Sequence, residues 1–303
     1  MRIAFQLASR VLPRHFSKFS RHDFTLPQLF ACLVVKEHQR KSYREAEALL
    51  RDSDHWCRDI GMKKVPDHNT LCRAFAALNL RRRTGKLLDR LAQWFALARQ
   101  LGSTVAIDST CYDTHHRSRH YEHRCRHYAS RQQRTADTRR SRSAKRSPKL
   151  CLGVCTRCHL ILSGRPKIGM GSDAQDFEPL LFDAWRRHPR LRVVLADAGY
   201  DSEANHRIAR LDMGVTSLIK CGVGRPGKKP PSGYYRRLMK RLLRGSQRGR
   251  KYAQRAQAET VNSMMKRNLG DALRARSPKR RQEEQLLRIL THNIALLCDE
   301  IED

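Results

Sequence analysis

Two short apolar runs, each followed by an aspartate, constrain the fold of this chain more than any other feature. Residues 104–107 precede Asp108, and residues 192–196 precede Asp197. Apolar runs of this length are typical of buried strands. Further strands are predicted at 150–154, 159–163 and 216–220, and helices at 176–187, 203–211, 253–266 and 285–301. This alternation predicts an α/β domain with a mixed sheet flanked by helices.

The last predicted helix carries the apolar residues expected of a helix that covers a sheet. They recur at helical spacing, so they form one apolar side. These residues are Leu286, Leu287, Ile289, Leu290, Ile294 and Leu297.

The net charge predicts a polyanionic partner. The 303 residues contain 62 Lys and Arg against 29 Asp and Glu, a formal charge of +33. Solubility alone needs far less charge, and the planar Arg fork that predominates here suits phosphate. Nucleic acid is therefore favoured over a membrane surface, because no apolar run approaches the ~20 residues of a spanning helix. We expect a cytoplasmic protein, associated with the nucleoid when bound to DNA, with no membrane contact and no small-molecule substrate.

The first hundred residues are predicted to be helical, with helices at 27–37, 42–51 and 84–101. A turn at 66–69 precedes a short helix that presents Arg73 on its outer side. This short helix is either the second helix of a helix-turn-helix or an ordinary corner of a helical bundle. We therefore divide the chain into a small all-helical DNA-binding module at residues 1–101 and an α/β domain at residues 102–303.

Two basic segments do not have the composition of a core. The first, at about 112–149, is rich in Arg, His and Ser, and we interpret it as an insertion that contacts DNA or as decay in an inactive copy. The second, at about 222–251, is rich in Arg, Lys, Gly and Pro. No acidic residue lies between Asp212 and Glu259, so we expect this loop to run along a phosphate backbone.

The two aspartates after the apolar runs are candidates for a catalytic site. A carboxylate at the end of a buried strand is costly unless it is paired, protonated or bound to metal. Because α/β sheets place their sites at the carboxyl ends of strands, Asp108 and Asp197 are expected to converge. The alternative is that each aspartate only caps the turn that follows it.

A third acid, Glu259, lies within a set of polar residues at helical spacing. Tyr252, Arg255, Glu259 and Lys266 follow one another at intervals of three, four and seven, which predicts one helix face. Asn262 lies one turn beyond Glu259 on that face. We expect Arg255 and Lys266 to bind phosphates, Tyr252 to pack on sugar or base, and Asn262 to bind DNA or orient the glutamate. The alternative is a solvated basic helix with an Arg255–Glu259 pair.

Together, these motifs resemble the insertion-sequence DNA transposases of the Asp-Asp-Glu superfamily. One branch carries the signature Tyr-x2-Arg-x3-Glu-x6-Lys, and residues 252–266 match it at every marked position. Asp108 is followed by two hydroxyl residues, and Asp197 opens an Asp-Ala-Gly-Tyr-Asp segment. Both segments are similar to those around the first and second acids of that family. The resemblance covers roughly residues 103–301.

The resemblance implies a ribonuclease H-like domain in which Asp108, Asp197 and Glu259 are the catalytic metal ligands. It implies two Mg²⁺ or Mn²⁺ ions ~3.5–4 Å apart, which activate water or a DNA 3′-hydroxyl and stabilise the departing oxygen. The expected partner is double-stranded DNA, as transposon ends and as target, bound by a homodimer. A ribonuclease H-like structure-specific nuclease and a non-catalytic DNA-binding protein remain as alternatives, and only strand transfer separates the transposase from the nuclease.

The Cys155-x-x-Cys158-His159 sequence has two further interpretations. Ten cysteines without an export signal favour reduced thiols over disulfides. The motif matches that of c-type haem attachment, but it lies at a predicted hairpin turn and does not open a helix. Zinc could bind the two cysteines with a nearby histidine. The histidines in question are His115, His116, His120, His123 and His127, and a phosphate-facing surface explains them more simply.

Overall fold

The computed structural model describes most of the two parts predicted from the sequence. The described residues are 1–16, 19, 22–115, 147–169, 171–222, 231–243 and 246–302. Most of the expected insertion at 112–149 and part of the expected loop at 222–251 lie outside them. The predicted site residues His116, His120, His123 and His127 also lie outside the described residues.

Six helices precede the first strand in the described residues. They are α1 (Arg2–Ser9), α2 (Leu26–His38), α3 (Tyr43–Asp52), α4 (Asp54–Asp59), α5 (His68–Ala77) and α6 (Leu80–Leu97). Local sequence explains where several begin, because Thr25 and Ser42 form capping boxes and Asp67 caps α5. Helices α2, α3 and α5 pack against one another, and Arg73 is exposed on α5.

Five strands form the central sheet, in the order β4-β3-β1-β5-β6. Strand β1 pairs antiparallel with β3 and parallel with β5, β3 pairs antiparallel with β4, and β5 pairs parallel with β6. This mixed sheet with flanking helices is a ribonuclease H-like fold, as the resemblance implied. The bounds are β1 (Thr104–Cys111), β3 (Pro148–Cys155), β4 (Ile161–Ile168), β5 (Val193–Ala196) and β6 (Thr216–Ile219).

The sheet differs from the sequence prediction in strand length. Strand β1 continues past Asp108, and β4 extends well beyond the predicted end at 163. The second half of β4 is polar and partly exposed because β4 is an edge strand of the sheet. A search for apolar runs therefore detects only its buried first half.

The remaining helices flank the sheet, and a short two-stranded ladder lies beside it. Strand β2 (Asp113–Thr114) pairs in parallel with β7 (Ala272–Leu273). The helices are α7 (Phe177–Arg187), α8 (Glu203–Arg207, followed by a π turn), α9 (Tyr234–Leu242), α10 (Ser246–Ala253), α11 (Ala256–Leu269) and α12 (Pro278–Glu302). The prediction that the last helix covers the sheet is confirmed, because Leu287, Ile289 and Leu290 are buried and α12 contacts β3 and β4.

Apolar side chains fill both faces of the sheet. On one face, Ile107 and Val194 pack with Leu181 of α7. On the other face, Ala106 and Leu152 belong to the same cluster as residues of α11 and α12 and of the N-terminal helices, including Leu33, Leu71 and Leu87. The N-terminal helices thus share one continuous core with the sheet, and the boundary at residue 101 stays a prediction.

No helix in the described ranges is both long enough and apolar enough to cross a bilayer.

Candidate active site

The pairing of β1 with β5 brings Asp108 and Asp197 side by side. These two strands are parallel, and Ile107 lies opposite Ala196. Asp108 directly follows Ile107 and Asp197 directly follows Ala196, so the two aspartates are neighbours across the two chain segments. Strand β5 ends there, while β1 continues with β3 as its partner. The aspartates therefore lie at the carboxyl end of β5, where sites in such sheets are found.

Asp197 also caps the turn that follows it. Its Oδ1 accepts a hydrogen bond from the Gly199 N–H at 2.9 Å. A Cβ at Gly199 would lie 3.1 Å from that oxygen, so a larger residue would crowd the carboxylate. One oxygen of Asp197 therefore caps the turn that follows it, and the same aspartate also lies next to Asp108.

The helix predicted at 253–266 is two helices with a tight turn between them. Tyr252 ends up on α10, whereas Arg255 is the N-cap of α11, which carries Glu259 and Lys266. The turn is closed by bonds from the Gln254 and Arg255 N–H groups to the carbonyls three residues earlier. The prediction of a single helix face is therefore wrong for Tyr252. Its hydroxyl instead donates to the Ala196 carbonyl at 3.2 Å, directly before Asp197.

Glu259 lies on the outer part of α11. Its side chain is 54% exposed and pairs with Arg255, whose Nη2 is 2.5 Å from Glu259 Oε1. The Arg255–Glu259 pair that belongs to the alternative interpretation, a solvated basic helix, is therefore present. Lys266, two turns further on, places its Nζ 5.8 Å from the centre of the Tyr112 ring.

Asn262 connects α11 to the first aspartate. Its Nδ2 donates to Asp108 Oδ2 at 3.0 Å, and the residue is only 7% exposed. Its Oδ1 is buried and has no hydrogen-bond partner in the described residues. Asn262 therefore places the turn that carries Glu259 next to Asp108, and its amide faces the aspartate.

The electrostatics of Asp108 reflect this crowding of carboxylates. Burial raises the pKa of Asp108 above its usual range, and the negative charges of Asp197 and Glu259 raise it further. The Ser109 N–H and the Arg255 guanidinium oppose this shift only in part. A raised carboxyl pKa means that the ionised form is disfavoured until a cation arrives.

The donor set fits a hard divalent cation. Three carboxylates and the unpartnered Oδ1 of Asn262 offer oxygen ligands, which Mg²⁺ and Mn²⁺ prefer. The carboxylates do not form a closed ligand set, since Cys151, Asp173 and Asp176 are the one described group whose ligand atoms all lie within 4.8 Å of one another. Glu259 would have to turn away from Arg255 to join Asp108 and Asp197.

A second polar cluster, which the sequence reasoning missed, lies beside the aspartates. Asp173 accepts from Ser109 Oγ at 3.2 Å and pairs with the Lys149 ammonium. Burial would lower the pKa of Lys149, but Asp173 raises it above its usual value. Asp176 pairs in the same way with Lys167. The Lys149 and Lys167 ammonium groups neutralise these acids. The contacts with Ser109 and Lys149 tie the loop before α7 to β1 and β3.

No short-range pattern signals this second cluster. Its members come from β1, β3, β4 and the loop after β4, and they meet only when the sheet forms. Asp173 and Asp176 precede a helix, so sequence reasoning would assign them as caps.

The Cys155-x-x-Cys158 sequence forms the hairpin turn between β3 and β4, as predicted. Cys155 lies opposite Val105, near the start of β1, whereas Lys149 lies opposite Cys111 at its end. His115 follows that far end of β1 and bonds to Leu273. The suggested zinc site of these cysteines with His115 is therefore wrong, because the histidine lies at the other end of the sheet.

Comparison with known proteins gives one family match. The model of the family described as the transposase DDE domain matches residues 99–294, which is more than half of the chain. No curated protein and no solved structure matches the chain significantly. The matched residues include the whole sheet, both aspartates and α11.

Proposed function

The chain belongs to the transposase DDE-domain family, and on that premise we propose that it cuts DNA at the ends of an insertion sequence and joins those ends to target DNA. Transposase-type action on DNA follows from the family. The observation that carries the finer proposal is that β1 and β5 set Asp108 beside Asp197, while Asn262, one helical turn from Glu259, bonds to Asp108. An acid cluster of this kind repels DNA unless a cation intervenes, so simple DNA binding would gain nothing from it.

We assign Asp108, Asp197 and Glu259 as the residues that would hold divalent cations. Members of this family use divalent metals, and two Mg²⁺ or Mn²⁺ ions, when bound, would polarise the scissile phosphate and lower the pKa of the attacking hydroxyl. The raised pKa of Asp108 supports this assignment because a nearby cation would relieve the repulsion among the acids.

The other residues of the site have separate roles in this proposal. Asn262 donates to one oxygen of Asp108 and leaves the second oxygen for a cation. Arg255 holds Glu259 in an ion pair and becomes available for a DNA phosphate once Glu259 turns inward. Lys266, whose Nζ is 5.8 Å from the centre of the Tyr112 ring, would bind a second phosphate. Tyr252 fixes the end of β5 through its bond to Ala196 and offers its ring to a sugar or base.

The test is Mg²⁺-dependent cleavage and joining of labelled DNA that carries the element's own ends. Wild type would be compared with Asp108→Ala, Asp197→Ala and Glu259→Ala, with DNA binding measured for each variant. Glu178→Ala is the matched control, because Glu178 is an exposed acid on α7, which packs on the opposite face of the sheet. We expect the three variants to bind DNA but neither cut nor join it, and the control to do both.

Other results would select an alternative function. Cleavage without joining would favour a structure-specific nuclease, and binding without any metal-dependent reaction would favour a non-catalytic DNA-binding protein. A change from one to two protein copies when both ends are added would support the expected homodimer on DNA.

A further inference from the structure

The position of Glu259 depends on how α11 is held, because the ion pair that its exposed side chain makes among the described residues is with Arg255 on the same segment. Helix α11 is held near its start, in its middle and at its C-terminal end, and His159 also bonds to Gln257 in its first turn at 2.7 Å. Just before its start, Tyr252 bonds to Ala196, and in its middle Asn262 bonds to Asp108. The C-terminal end is at Gly270.

Arg288 of α12 holds that C-terminal end. Its guanidinium donates from Nη1 to the Gly270 carbonyl at 2.7 Å and from Nη2 to the Ala272 carbonyl at 2.9 Å. Gly270 is the C-cap of α11, with φ 93°, and Ala272 begins β7. One side chain thus binds both sides of the turn at which the Glu259 helix ends.

The same guanidinium is bound to the N-terminal helices. Its Nε donates to Glu37 Oε1 on α2 at 2.8 Å, and Nη2 also reaches Glu284 at 3.2 Å. The guanidinium carbon of Arg288, Cζ, lies 5.3 Å from the centre of the ring of Tyr112, the residue that follows β1. Arg288 is 2% exposed and Glu37 is 3% exposed, so this contact is shielded from solvent.

Charge keeps this buried contact intact. Burial alone would raise the pKa of Glu37, but Lys36 and Arg288 outweigh burial and lower it. A second bridge lies close by, since Arg40 Nε donates to the Asn268 carbonyl of α11 at 2.9 Å. The segment directly after α2 is therefore joined to the C-terminal end of α11.

We propose that Arg288 is a positioning residue that sets Glu259 relative to Asp108 and couples this acid to the N-terminal helices through Glu37. The inference rests on the proposed function, because it assigns Glu259 to the metal site. Its physical basis is the rigid guanidinium fork, which fixes the directions of several donors at once. A lysine at this position has one ammonium and cannot reproduce that arrangement.

The chain contains a matched control in Arg187. This residue is also almost fully buried, at 3% side-chain exposure, and its Nε donates to Asp89 of α6 at 2.8 Å. Its other donors reach the carbonyls of Leu162 and Gly85. Arg187 thus joins an N-terminal helix to the α/β domain with the same chemistry, but none of these partners belongs to α11.

The experiment compares Arg288→Met with Arg187→Met in the full chain. Mn²⁺ binding is measured by calorimetric titration, thermal unfolding by circular dichroism, and cleavage of end DNA as a function of Mg²⁺ concentration. Both substitutions are expected to lower the Tm, since each removes a buried guanidinium and leaves two backbone carbonyls without their donor. Only Arg288→Met is expected to weaken Mn²⁺ binding and raise the half-saturating Mg²⁺ concentration, by roughly 10–100-fold as for other residues that support metal ligands.

Milder variants cover the case in which Arg288→Met does not fold. Arg288→Lys and Glu37→Gln are expected to weaken Mn²⁺ binding less than Arg288→Met, while DNA binding is retained. Equal metal affinity in all Arg288, Glu37 and Arg187 variants and wild type would overturn the inference. Wild type that binds Mn²⁺ but does not cut DNA would instead contradict the proposed function, and the Mn²⁺ titrations would still decide the role of Arg288.

Discussion

Two carboxylates in this protein, Asp108 and Glu37, have opposite pKa shifts. At the candidate active site, the neighbours of Asp108 include Asp197 and Glu259, and its pKa is raised. In the cluster around Arg288, Glu37 lies between Lys36 and Arg288, and its pKa is lowered. In the same Arg288 cluster, burial and the charge of Glu37 raise the pKa of Glu284. The counter-charges on Glu37 are those of a structural acid, whereas the like charges around Asp108 are typical of a ligand-binding site.

The largest expected effect concerns the carboxylates of the candidate active site. Asp197→Asn removes one negative charge but keeps the cap on Gly199, so the fold should persist. We expect metal-dependent cleavage to fall by about 10³-fold, equivalent to about 4 kcal/mol of transition-state stabilisation. Single-turnover cleavage measures this loss. A large drop in Tm with little loss of rate would show that the candidate active site and the Arg288 cluster have the same structural role.

The next effect concerns the buried cluster around Arg288. Glu37→Ala leaves Arg288 buried without its main partner, and loss of one member of a buried pair costs about 3–5 kcal/mol. We expect the free energy of unfolding in urea to fall by that amount. Glu178→Ala, on an exposed surface, serves as the control with little expected change. If Glu37→Ala were neutral, the Arg288 cluster would not be a structural support.

A third prediction concerns His292, a buried histidine whose hydrogen bond among the described residues is to the His159 carbonyl. Burial lowers the pKa of His292 to about 4, whereas in the unfolded chain it is about 6.5. The unfolded state therefore takes up a proton first, and the free energy of unfolding falls as the pH decreases from about 6.5 to 4. Between pH 7 and pH 5, we expect the free energy of unfolding to fall by about 2 kcal/mol less in His292→Gln than in wild type.

Urea denaturation at the two pH values measures that difference. His206 is the internal reference, because burial also lowers its pKa to about 4 and it remains in the variant. An identical loss of stability in wild type and His292→Gln would refute the assignment of acid sensitivity to His292.

The smallest expected effect has the opposite sign. Asp108→Asn removes the charge that its neighbours disfavour, so we expect a gain of about 1 kcal/mol in the free energy of unfolding at neutral pH. The gain should disappear in acid, where Asp108 is protonated in both states. Added Mg²⁺ should stabilise wild type and leave the variant unchanged. A lower Tm for Asp108→Asn at neutral pH would show that Asp108 is compensated after all.

The sequence was sufficient to predict the main strands of the sheet and to single out the aspartates that follow two apolar runs, because apolar runs are local signals. Buried strands produce apolar runs, so the runs at 104–107 and 192–196 predict the strands before Asp108 and Asp197. The position of Glu259 near Asp108 required the family resemblance, since helical spacing alone does not say which strand a helix packs against.

The remaining features depend on contacts between distant parts of the chain. The break between α10 and α11 leaves the Tyr252–Lys266 spacing unchanged, so spacing could not reveal it. The bond from Asn262 to Asp108 joins residues 154 positions apart. The pairs of Lys149 with Asp173 and Arg288 with Glu37 also form only after folding. Each of these residues on its own has the pattern of an ordinary surface charge.

The core shared by the N-terminal helices and the sheet limits how such a chain can evolve. Leu33, Leu71 and Leu87 pack in the same cluster as Leu152 of β3, and the Glu37–Arg288 pair crosses the same boundary. A recombinant that took its first hundred residues from a diverged relative would inherit mismatched apolar surfaces and an unpartnered buried charge. Changes in DNA preference would therefore arise more readily by substitution at exposed positions than by exchange of whole segments.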